Sequence, residues 1–315
     1  MFDHPASTAP KAARGQSAEP NGLVVSRLIG GLGNQMFQYA AGRALALRRG
    51  GFLRLDLSEL EAGGRRRFEL HNLPIEAIPA TKADLANFPN ISNRRFGRIG
   101  RLLRHVSKFG AGNARVYQET HFHFDPAMAE LPTPVCLVGH WQSDKYFRDH
   151  AETIRRELTP AQPFDQDNAA LADRIDAENA VSVHVRRGDY AGDPTTRRYH
   201  GTCPADYYQR AVDYVAARVD TPHLFVFSDD DDWPRDNLRF GVPTTFVRAN
   251  PPSAGYRDMQ LMLRCRHHVI ANSSFSWWGA WLNPQTDKIV VAPRRWFNAS
   301  ANDTHDLIPH QWVSL

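Results

Sequence analysis

Short apolar segments alternate with helical segments along the second half of this chain, and this order restricts its fold more than any other feature. Each apolar run is rich in β-branched residues and is followed by residues with apolar side chains at helical spacing. Such alternation is typical of an α/β protein with a parallel sheet between two layers of helices. The predicted strands are 180–185, 223–227, 268–271 and 288–292, and the predicted helices are 205–219, 256–265 and 275–282.

The first half opens with a strand, a glycine loop and a helix. The apolar run 23–29 precedes Gly30–Gln35, and apolar residues at helical spacing follow over 36–47. Glycines let a backbone turn sharply and approach a ligand at the positive end of the next helix. Asn34 stands where an N-cap residue is expected. The loop lacks the Walker lysine and the G-x-G-x-x-G spacing, so neither a P-loop ATPase nor a dinucleotide-dependent dehydrogenase is favoured.

The length of 315 residues is sufficient for two domains. Strands predicted at 52–57 and 135–138 make the first half an α/β unit, and the proline-containing segment 160–167 is the best candidate for a linker. We therefore predict a disordered tail at 1–21, an N-terminal α/β domain at 22–160 and a C-terminal α/β domain at 161–315.

Two adjacent arginines end the first predicted strand of the C-terminal half. Arg186 and Arg187 follow Val185 and lead into a turn at Gly188. Guanidinium groups are planar and permanently charged, and they bind phosphate oxygens through paired N–H donors. The pair therefore indicates a diphosphate-containing substrate, with a surface cluster of ion pairs as the alternative.

Polar residues also follow the other predicted strands of this half. Ligands of parallel sheets bind at the carboxyl ends of the strands, so these residues are expected to meet beside the arginines. Residues 272–276 would open a helix and form a second phosphate site, with plain N-capping of that helix as the alternative. The acidic run 229–232 suggests a metal site, but the arginines make a turn the preferred interpretation. The converging residues are Ser228, Asp229, Asn272, Ser273 and Ser274.

Aromatic side chains stand beside amides in the segment that follows the strand 135–138. His140, Trp141 and Gln142 could hold a sugar, because its C–H faces stack on rings while its hydroxyls bond to polar groups. A core aromatic cluster is an equally good interpretation. The tryptophans at 277, 278 and 281 recur at helical spacing, and we predict that they form a packed core face, with a platform for a sugar as the alternative.

Charge and composition limit the possible partners. The net charge of +4 is concentrated in the predicted amphipathic helix Arg94 to Lys108, whose basic face is either solvated or in contact with an anionic membrane surface or a lipid-linked acceptor. Phe96 belongs to the apolar face of this helix and not to its basic face, so we do not expect nucleic acid as a partner. Without an apolar run of spanning length or a signal-like tail, we expect a cytoplasmic protein, with the inner membrane surface as its alternative site. The three cysteines have no metal-ligand spacing and are expected to be free and buried.

Four segments occur in a distinctive order: GLGNQMFQY at 31–39, HVRRGDY at 184–190, FSDD at 227–230 and ANSSFSWW at 271–278. In this order they resemble the α-1,2-fucosyltransferases of glycosyltransferase family 11, from about Val24 to the C-terminus. The resemblance implies a GT-B-like fold of two Rossmann-like domains, with the donor site in the cleft on the C-terminal domain side. It also implies GDP-fucose as donor, a galactose-terminated oligosaccharide or lipid-linked glycan as acceptor, inversion at the anomeric carbon, and no metal or other cofactor.

The resemblance also implies roles for individual residues. Arg186 and Arg187 would be the motif arginines, with at least one on the β-phosphate, and Asp258 would read the guanine. Asn34 would face the fucose and the acceptor, with Gln35, His140, Trp141 and Gln142 on the acceptor side. The remaining donor-binding positions would be Gly33, His184, Ser228, Asp229, Asn272, Ser273, Ser274 and Phe275.

The group that takes the acceptor proton stays open. Asp189 follows the arginines directly and Asp193 lies four residues later, on what is expected to be a loop. Either carboxylate could be the base, and Asp189 could equally orient a motif arginine. The competing functions are a metal-dependent transferase for another sugar nucleotide and a catalytically idle module that binds a glycan or a nucleotide.

Overall fold

The computed structural model describes residues 22–63, 66–88, 115–248, 250–298 and 302–315. Only the backbone is described at Gly63, Asp189, Ala191, Thr195 and Pro252. The predicted tail at 1–21 and the basic helix Arg94 to Lys108 lie outside the described residues. So does the side chain of Asp189.

The first half forms a five-stranded parallel sheet around one central strand. All five residues of that strand, β1, are buried, and it pairs with β2 on one side and β5 on the other. A strand buried on both faces reads as a continuous apolar run, which is why the sequence revealed it. The order is β3-β2-β1-β5-β4. The strands are β1 (Leu23–Arg27), β2 (Phe52–Asp56), β3 (Ile78–Pro79), β4 (Arg115–Gln118) and β5 (Val135–Val138).

The second half forms a six-stranded sheet in which every neighbouring pair is also parallel. Its order is β11-β10-β9-β6-β7-β8. The predicted α/β class is therefore confirmed for both halves. The strands are β6 (Asn179–Val185), β7 (Pro222–Ser228), β8 (Thr244–Phe246), β9 (His267–Val269), β10 (Val290–Ala292) and β11 (Val313–Ser314).

Helices connect the strands, as parallel pairing requires. In the first half they are α1 (Leu32–Arg48), α2 (Ser58–Gly63), α3 (Lys82–Ala86) and α4 (Ala151–Leu158). In the second half they are α5 (Gln166–Asp176), α6 (Gly188–Gly192), α7 (Pro194–His200), α8 (Ala205–Ala216), α9 (Asp232–Asn237), α10 (Gly255–Arg264) and α11 (Ser274–Leu282).

Helix α11 packs against α1 and joins the cores of the two halves. Trp277 and Trp278 are fully buried, and Trp281 is nearly so. The Phe37 ring of α1 lies 4.5 Å from Trp277 and 4.9 Å from Trp278, between ring centres. The prediction that these tryptophans form a core face is confirmed, and that core holds the starts of α1 and α11 together.

Two local predictions are wrong. Helix α1 begins at Leu32 with Gly31 as its N-cap, so Asn34 lies in the first turn and is not the cap. The segment after the arginines is not a loop, because residues 188–192 and 194–200 form two short helices. Pro194 suits the first position of the second one, and the Asp193 side chain accepts a hydrogen bond from the Thr196 N–H at 2.7 Å.

Candidate active site

A cavity of about 1200 Å³ lies where the carboxyl ends of the two sheets meet. Its lining residues come from both halves of the chain, and many directly follow a strand. This is where an open parallel sheet binds its ligands. Such lining residues follow β1, β4 and β5 in the first sheet and β6, β7 and β9 in the second: Gly30, Glu119, His140, Arg186, Asp229 and Ser273.

The start of α1 touches the start of α11 through Gly33. A Cβ atom on Gly33 would lie 2.5 Å from the Ser274 carbonyl carbon and 2.6 Å from the Phe275 nitrogen. Trp278 Nε1 also donates to the Gly33 carbonyl oxygen at 3.0 Å. Only a residue without a side chain fits here, and two helix N-termini therefore face one cavity. The first N–H groups of a helix have no partner within the helix, which suits a helix start to an anion. At α1 the Glu69 carboxyl already accepts the Leu32 N–H, so the start of α11 is the better place for an anionic ligand.

Asn34 links the two halves across the cavity. Its Oδ1 accepts hydrogen bonds from Gln142 Nε2 at 2.8 Å and from Ser274 Oγ at 2.9 Å. Gln142 follows the first sheet and Ser274 opens α11, and all three side chains line the cavity. The side chain that was expected to cap α1 instead fixes the acceptor-side segment relative to the helix start.

Arg186 is oriented by an aspartate. Its Nη1 lies 2.7 Å from Asp229 Oδ2, and both residues are partly exposed to the cavity. Asp229 Oδ1 accepts the backbone N–H groups of Arg187 at 2.7 Å and Gly188 at 3.1 Å. A Cβ on Gly188 would lie 2.4 Å from the same carboxylate, so glycine is required at this turn. Asp229 thus holds the turn and aims the guanidinium.

Arg187 points away from the cavity. Its Nε lies 3.6 Å from Asp230 Oδ2, and its guanidinium carbon lies 4.1 Å from the centre of the Trp233 ring. It is not among the residues that line the cavity. The side chains of the two adjacent arginines therefore point in different directions. Of this pair, only Arg186 reaches the cavity.

Four other predicted site residues also lie outside the cavity lining: Gln35, Trp141, Asp193 and Asn272. Gln35 bonds to the backbone of Gly30 and of residues 67 and 69, which ties the glycine loop to that segment. Trp141 is fully buried, and Asp193 caps a helix. Asn272 Nδ2 lies 3.1–3.3 Å from the carbonyl oxygens of His200, Gly201 and Trp296. These contacts hold the walls of the site in place.

The remaining predicted donor positions also line the cavity. Ser228, Ser273, Ser274 and Phe275 line it with His184 and Asp258. Burial lowers the pKa of His184 to about 4, so the ring is neutral near pH 7. Its Nδ1 is buried and has no hydrogen-bond partner within the described part of the chain. Burial also raises the pKa of Asp258, whose Oδ1 accepts from Asn250 Nδ2 at 2.7 Å.

The cavity contains a carboxyl group that the sequence did not single out. Glu119 follows β4, and its two oxygens accept the backbone N–H groups of His140 at 2.7 Å and Trp141 at 3.0 Å. Burial raises the pKa of Glu119 to about 7, because its effect outweighs the opposite effect of these two hydrogen bonds. The only signal in the sequence is an acidic residue directly after a short strand, and β4 was itself not predicted.

The described ranges contain no metal-binding cluster, no membrane-spanning helix and no disulfide bond. No group of three or more His, Cys, Asp or Glu residues suited to a metal ion is found there. No helix within these ranges is long and apolar enough to cross a membrane. Cys136, Cys203 and Cys265 are buried and form no disulfide bond in the described part of the chain, as predicted.

Comparisons with known proteins show similarity to glycosyltransferases. The sequence profile of glycosyl transferase family 11 matches residues 116–315. The chain is 34% identical to an α-1,2-colitosyltransferase of Escherichia coli over 93% of its length and 99% of that protein. It is also 34% identical to the O-antigen biosynthesis glycosyltransferase WbnK of Escherichia coli, over 92% and 99% of the two chains. Galactoside α-(1,2)-fucosyltransferase 1 of Oryctolagus cuniculus is 27% identical over 88% and 68%.

Among solved structures, a point mutant of Arabidopsis thaliana FUT1 in complex with GDP superposes with a TM-score of 0.51. The alignment has 13% identity and covers 94% of this chain and 76% of that one. At this identity the likeness concerns the fold alone. The fold is GT-B-like, with the cavity in the cleft between two parallel α/β units.

Proposed function

Because the chain belongs to glycosyltransferase family 11, we propose that it is an inverting galactoside 2-α-L-fucosyltransferase. It moves L-fucose from GDP-β-L-fucose to the 2-hydroxyl of a galactose-terminated glycan, without a metal. The names of its relatives, which include an O-antigen transferase and a galactoside fucosyltransferase, support a glycan acceptor. A lipid-linked repeat of a surface polysaccharide is one such acceptor.

The observation that carries the proposal is the contact between the starts of α1 and α11 at Gly33, in the same cavity as Arg186. A diphosphate carries its negative charge on closely spaced oxygens. The start of α11 and the Arg186 guanidinium supply N–H donors and positive charge for these oxygens. Asp229 holds the guanidinium in a fixed orientation. The site can therefore stabilise a departing GDP without a metal.

Asp258 and His184 are suited to the nucleoside. A carboxylate can accept two hydrogen bonds from guanine N1–H and N2–H₂. Asp258, whose Oδ1 already accepts from Asn250, lines the cavity, and the neutral His184 offers a buried ring nitrogen to a ligand donor. Phe275 lies 5.6 Å from the His184 ring, between ring centres, and completes this wall.

In the transfer, the bond between the anomeric carbon and the phosphate oxygen breaks through an oxocarbenium-like state. Its electron pair leaves with GDP, whose charge is stabilised by Arg186. The acceptor 2-hydroxyl attacks the opposite face and loses its proton, which gives the α-linked product. Preorganised charge at the leaving group is the largest contribution to the rate.

We assign the acceptor proton to Glu119. Asp193 is used as a helix cap, whereas Glu119 lines the cavity beside His140 and next to the Gln142–Asn34 contact. A base is most effective when its pKa lies near the working pH, and that of Glu119 is about 7. Asp189 remains the competing candidate.

A colitosyl donor is the second candidate, because a relative with 34% identity is named a colitosyltransferase. The test is to incubate the protein and lactose with GDP-fucose or with nucleotide-activated colitose. We expect transfer from GDP-fucose and an α-1,2 linkage to galactose in the NMR spectrum of the product. Transfer from the colitosyl donor alone would show that the donor carries colitose and not fucose. A linkage at another hydroxyl would show that the 2-hydroxyl of galactose is not the acceptor group.

Two further alternatives make different predictions in the same assay. A metal-dependent transferase that uses the acidic run 229–232 would lose activity with a chelator. An idle module would bind GDP-fucose without releasing GDP. Asp229 and Asp230 already pair with Arg186 and Arg187, which favours the proposed function over a metal site.

A further inference from the structure

A continuous run of aromatic rings leads along one wall of the cavity away from Arg186. The Arg186 guanidinium carbon lies 5.3 Å from the centre of the Tyr190 ring. Tyr190 stacks on His200, with ring centres 4.6 Å apart and planes within 13°. Phe297 lies 5.4 Å from His200 and 5.2 Å from Tyr199, again between centres. All of these residues line the cavity, so the run connects its diphosphate end with its rim.

The outer end of this run is exposed. Tyr199 is 43% exposed, and Phe122 packs edge-on against Phe297 at 5.2 Å beside it. Ile78 is the other large apolar side chain with high exposure in the described ranges, and it lies outside the cavity on the edge strand β3. An aromatic face in a concave site is suited to the C–H face of a sugar ring.

Hydrogen-bonding groups surround the exposed ring. Asn302 Nδ2 donates to the Tyr199 hydroxyl at 2.6 Å. Asn302, Asp303 and His121 line the same cavity, and His123 Nδ1 lies 3.8 Å from the Asp303 carboxylate. Amides, carboxylates and imidazoles are groups that bond sugar hydroxyls. An acyl chain has no groups that could bond to these polar side chains. The combination of aromatic rings and polar groups therefore favours a sugar.

We propose that this wall, formed by Phe122, Tyr190, Tyr199, His200 and Phe297, is a subsite for a second sugar of the acceptor. The sugar that precedes the terminal galactose would stack on Tyr199 and Phe297 and bond to Asn302 and Asp303. The inference rests on the proposed function, since it takes the occupant to be the remainder of the same glycan. It makes the natural substrate an extended oligosaccharide.

The experiment compares kcat/KM for methyl β-galactoside, lactose, a β-galactosyl trisaccharide and octyl β-galactoside. We expect the wild-type protein to prefer the disaccharide and trisaccharide over the methyl galactoside by about tenfold or more. Tyr199→Ala should reduce this preference by about three- to tenfold, mainly through KM, and Tyr199→Phe should largely retain it. Ile78→Ala removes the other exposed apolar side chain and should leave the preference and the basal activity unchanged.

Equal kcat/KM for methyl galactoside and the longer sugars would overturn the subsite while leaving the proposed function intact, and this result needs no variant. A gain confined to octyl β-galactoside would also overturn it, in favour of an apolar aglycone. If no acceptor reacts with either donor, the proposed function fails. Calorimetric titration of the trisaccharide then tests the subsite separately. Weaker binding to Tyr199→Ala than to the wild-type protein would support the subsite. No binding to the wild-type protein would overturn it.

Discussion

At the scale of single residues, the site depends on which side chains reach the cavity and which ones only hold its walls. The motif Arg186-Arg187 illustrates the difference, because one guanidinium faces the cavity and the other packs on Trp233. Nothing in the sequence separates the two, since neighbouring residues after a strand can turn either way. Asn272 is a similar case, because its amide is bonded to three backbone carbonyls.

Arg186→Ala should lower kcat by about a hundredfold, on the order of 3 kcal/mol, because a preorganised charge at the leaving group is lost. Arg187→Ala should cost much less, since its guanidinium does not line the cavity. Steady-state kinetics with GDP-fucose and lactose measure both. Arg218→Ala is the control, because Arg218 is exposed and does not line the cavity. Turnover of Arg186→Ala close to that of the wild type would contradict the role given to this arginine.

The proposed role of Glu119 as the base predicts that kcat depends on pH. With a pKa of about 7, its carboxyl is largely protonated at pH 6 and largely ionised at pH 8. Only the ionised form can accept the proton, so kcat should fall as the pH decreases through 7. Glu119→Gln should lower kcat by about a hundredfold and remove this rise.

Asp193→Asn serves as the comparison for the Glu119 variant, because it alters a helix cap outside the cavity lining. It should retain the pH profile of the wild type. A Glu119→Gln variant with normal turnover, together with an inactive Asp189→Asn variant, would move the base to Asp189.

At the scale of elements, periodicity predicted the buried strands and long helices well. The strand β1 and the helix α11 were visible because a run of buried residues leaves a continuous apolar pattern. Strands β3 and β11 have only two residues each, too few for any pattern. The start of α1 was misplaced because Asn34 is a good cap by type, whereas tertiary bonds to Gln142 and Ser274 decide its position.

The contact between α1 and α11 predicts that Gly33→Ala is severely damaging. The added methyl group would lie 2.5 Å from the Ser274 backbone, so the two helix starts must separate. We expect weaker GDP binding by calorimetry and a lower midpoint of urea unfolding. Gly241→Ala is the matched control, because a Cβ there meets nothing within 4 Å. Equal GDP affinity in the two variants would show that this contact does not shape the donor site.

At the scale of the whole molecule, one hydrophobic cluster contains residues from both halves of the chain. The cluster that contains β1 and α1 also contains Trp277, Trp278 and Trp281 from α11, and Trp296 and Leu307 from farther along the chain. The sequence suggested two domains of similar size, with a boundary after residue 160 that stays a prediction. It could not reveal that the C-terminal half returns to the first core, because that contact depends on tertiary packing.

The shared core predicts one cooperative unfolding transition. Separating the halves would expose buried tryptophans and therefore costs much of the stability of both. Tryptophan fluorescence and far-UV circular dichroism should give the same urea midpoint. Two separated transitions would mean that each half is stable without the other.

The central claim is acceptor-dependent transfer of fucose without a metal. The most direct measurement is the release of GDP from GDP-fucose by the purified protein in EDTA, with and without a panel of β-galactosides. We predict rapid release only when a β-galactoside is present, and no change when Mg²⁺ or Mn²⁺ replaces the chelator. Release that requires a divalent ion, or GDP-fucose that neither binds nor reacts, would contradict the account.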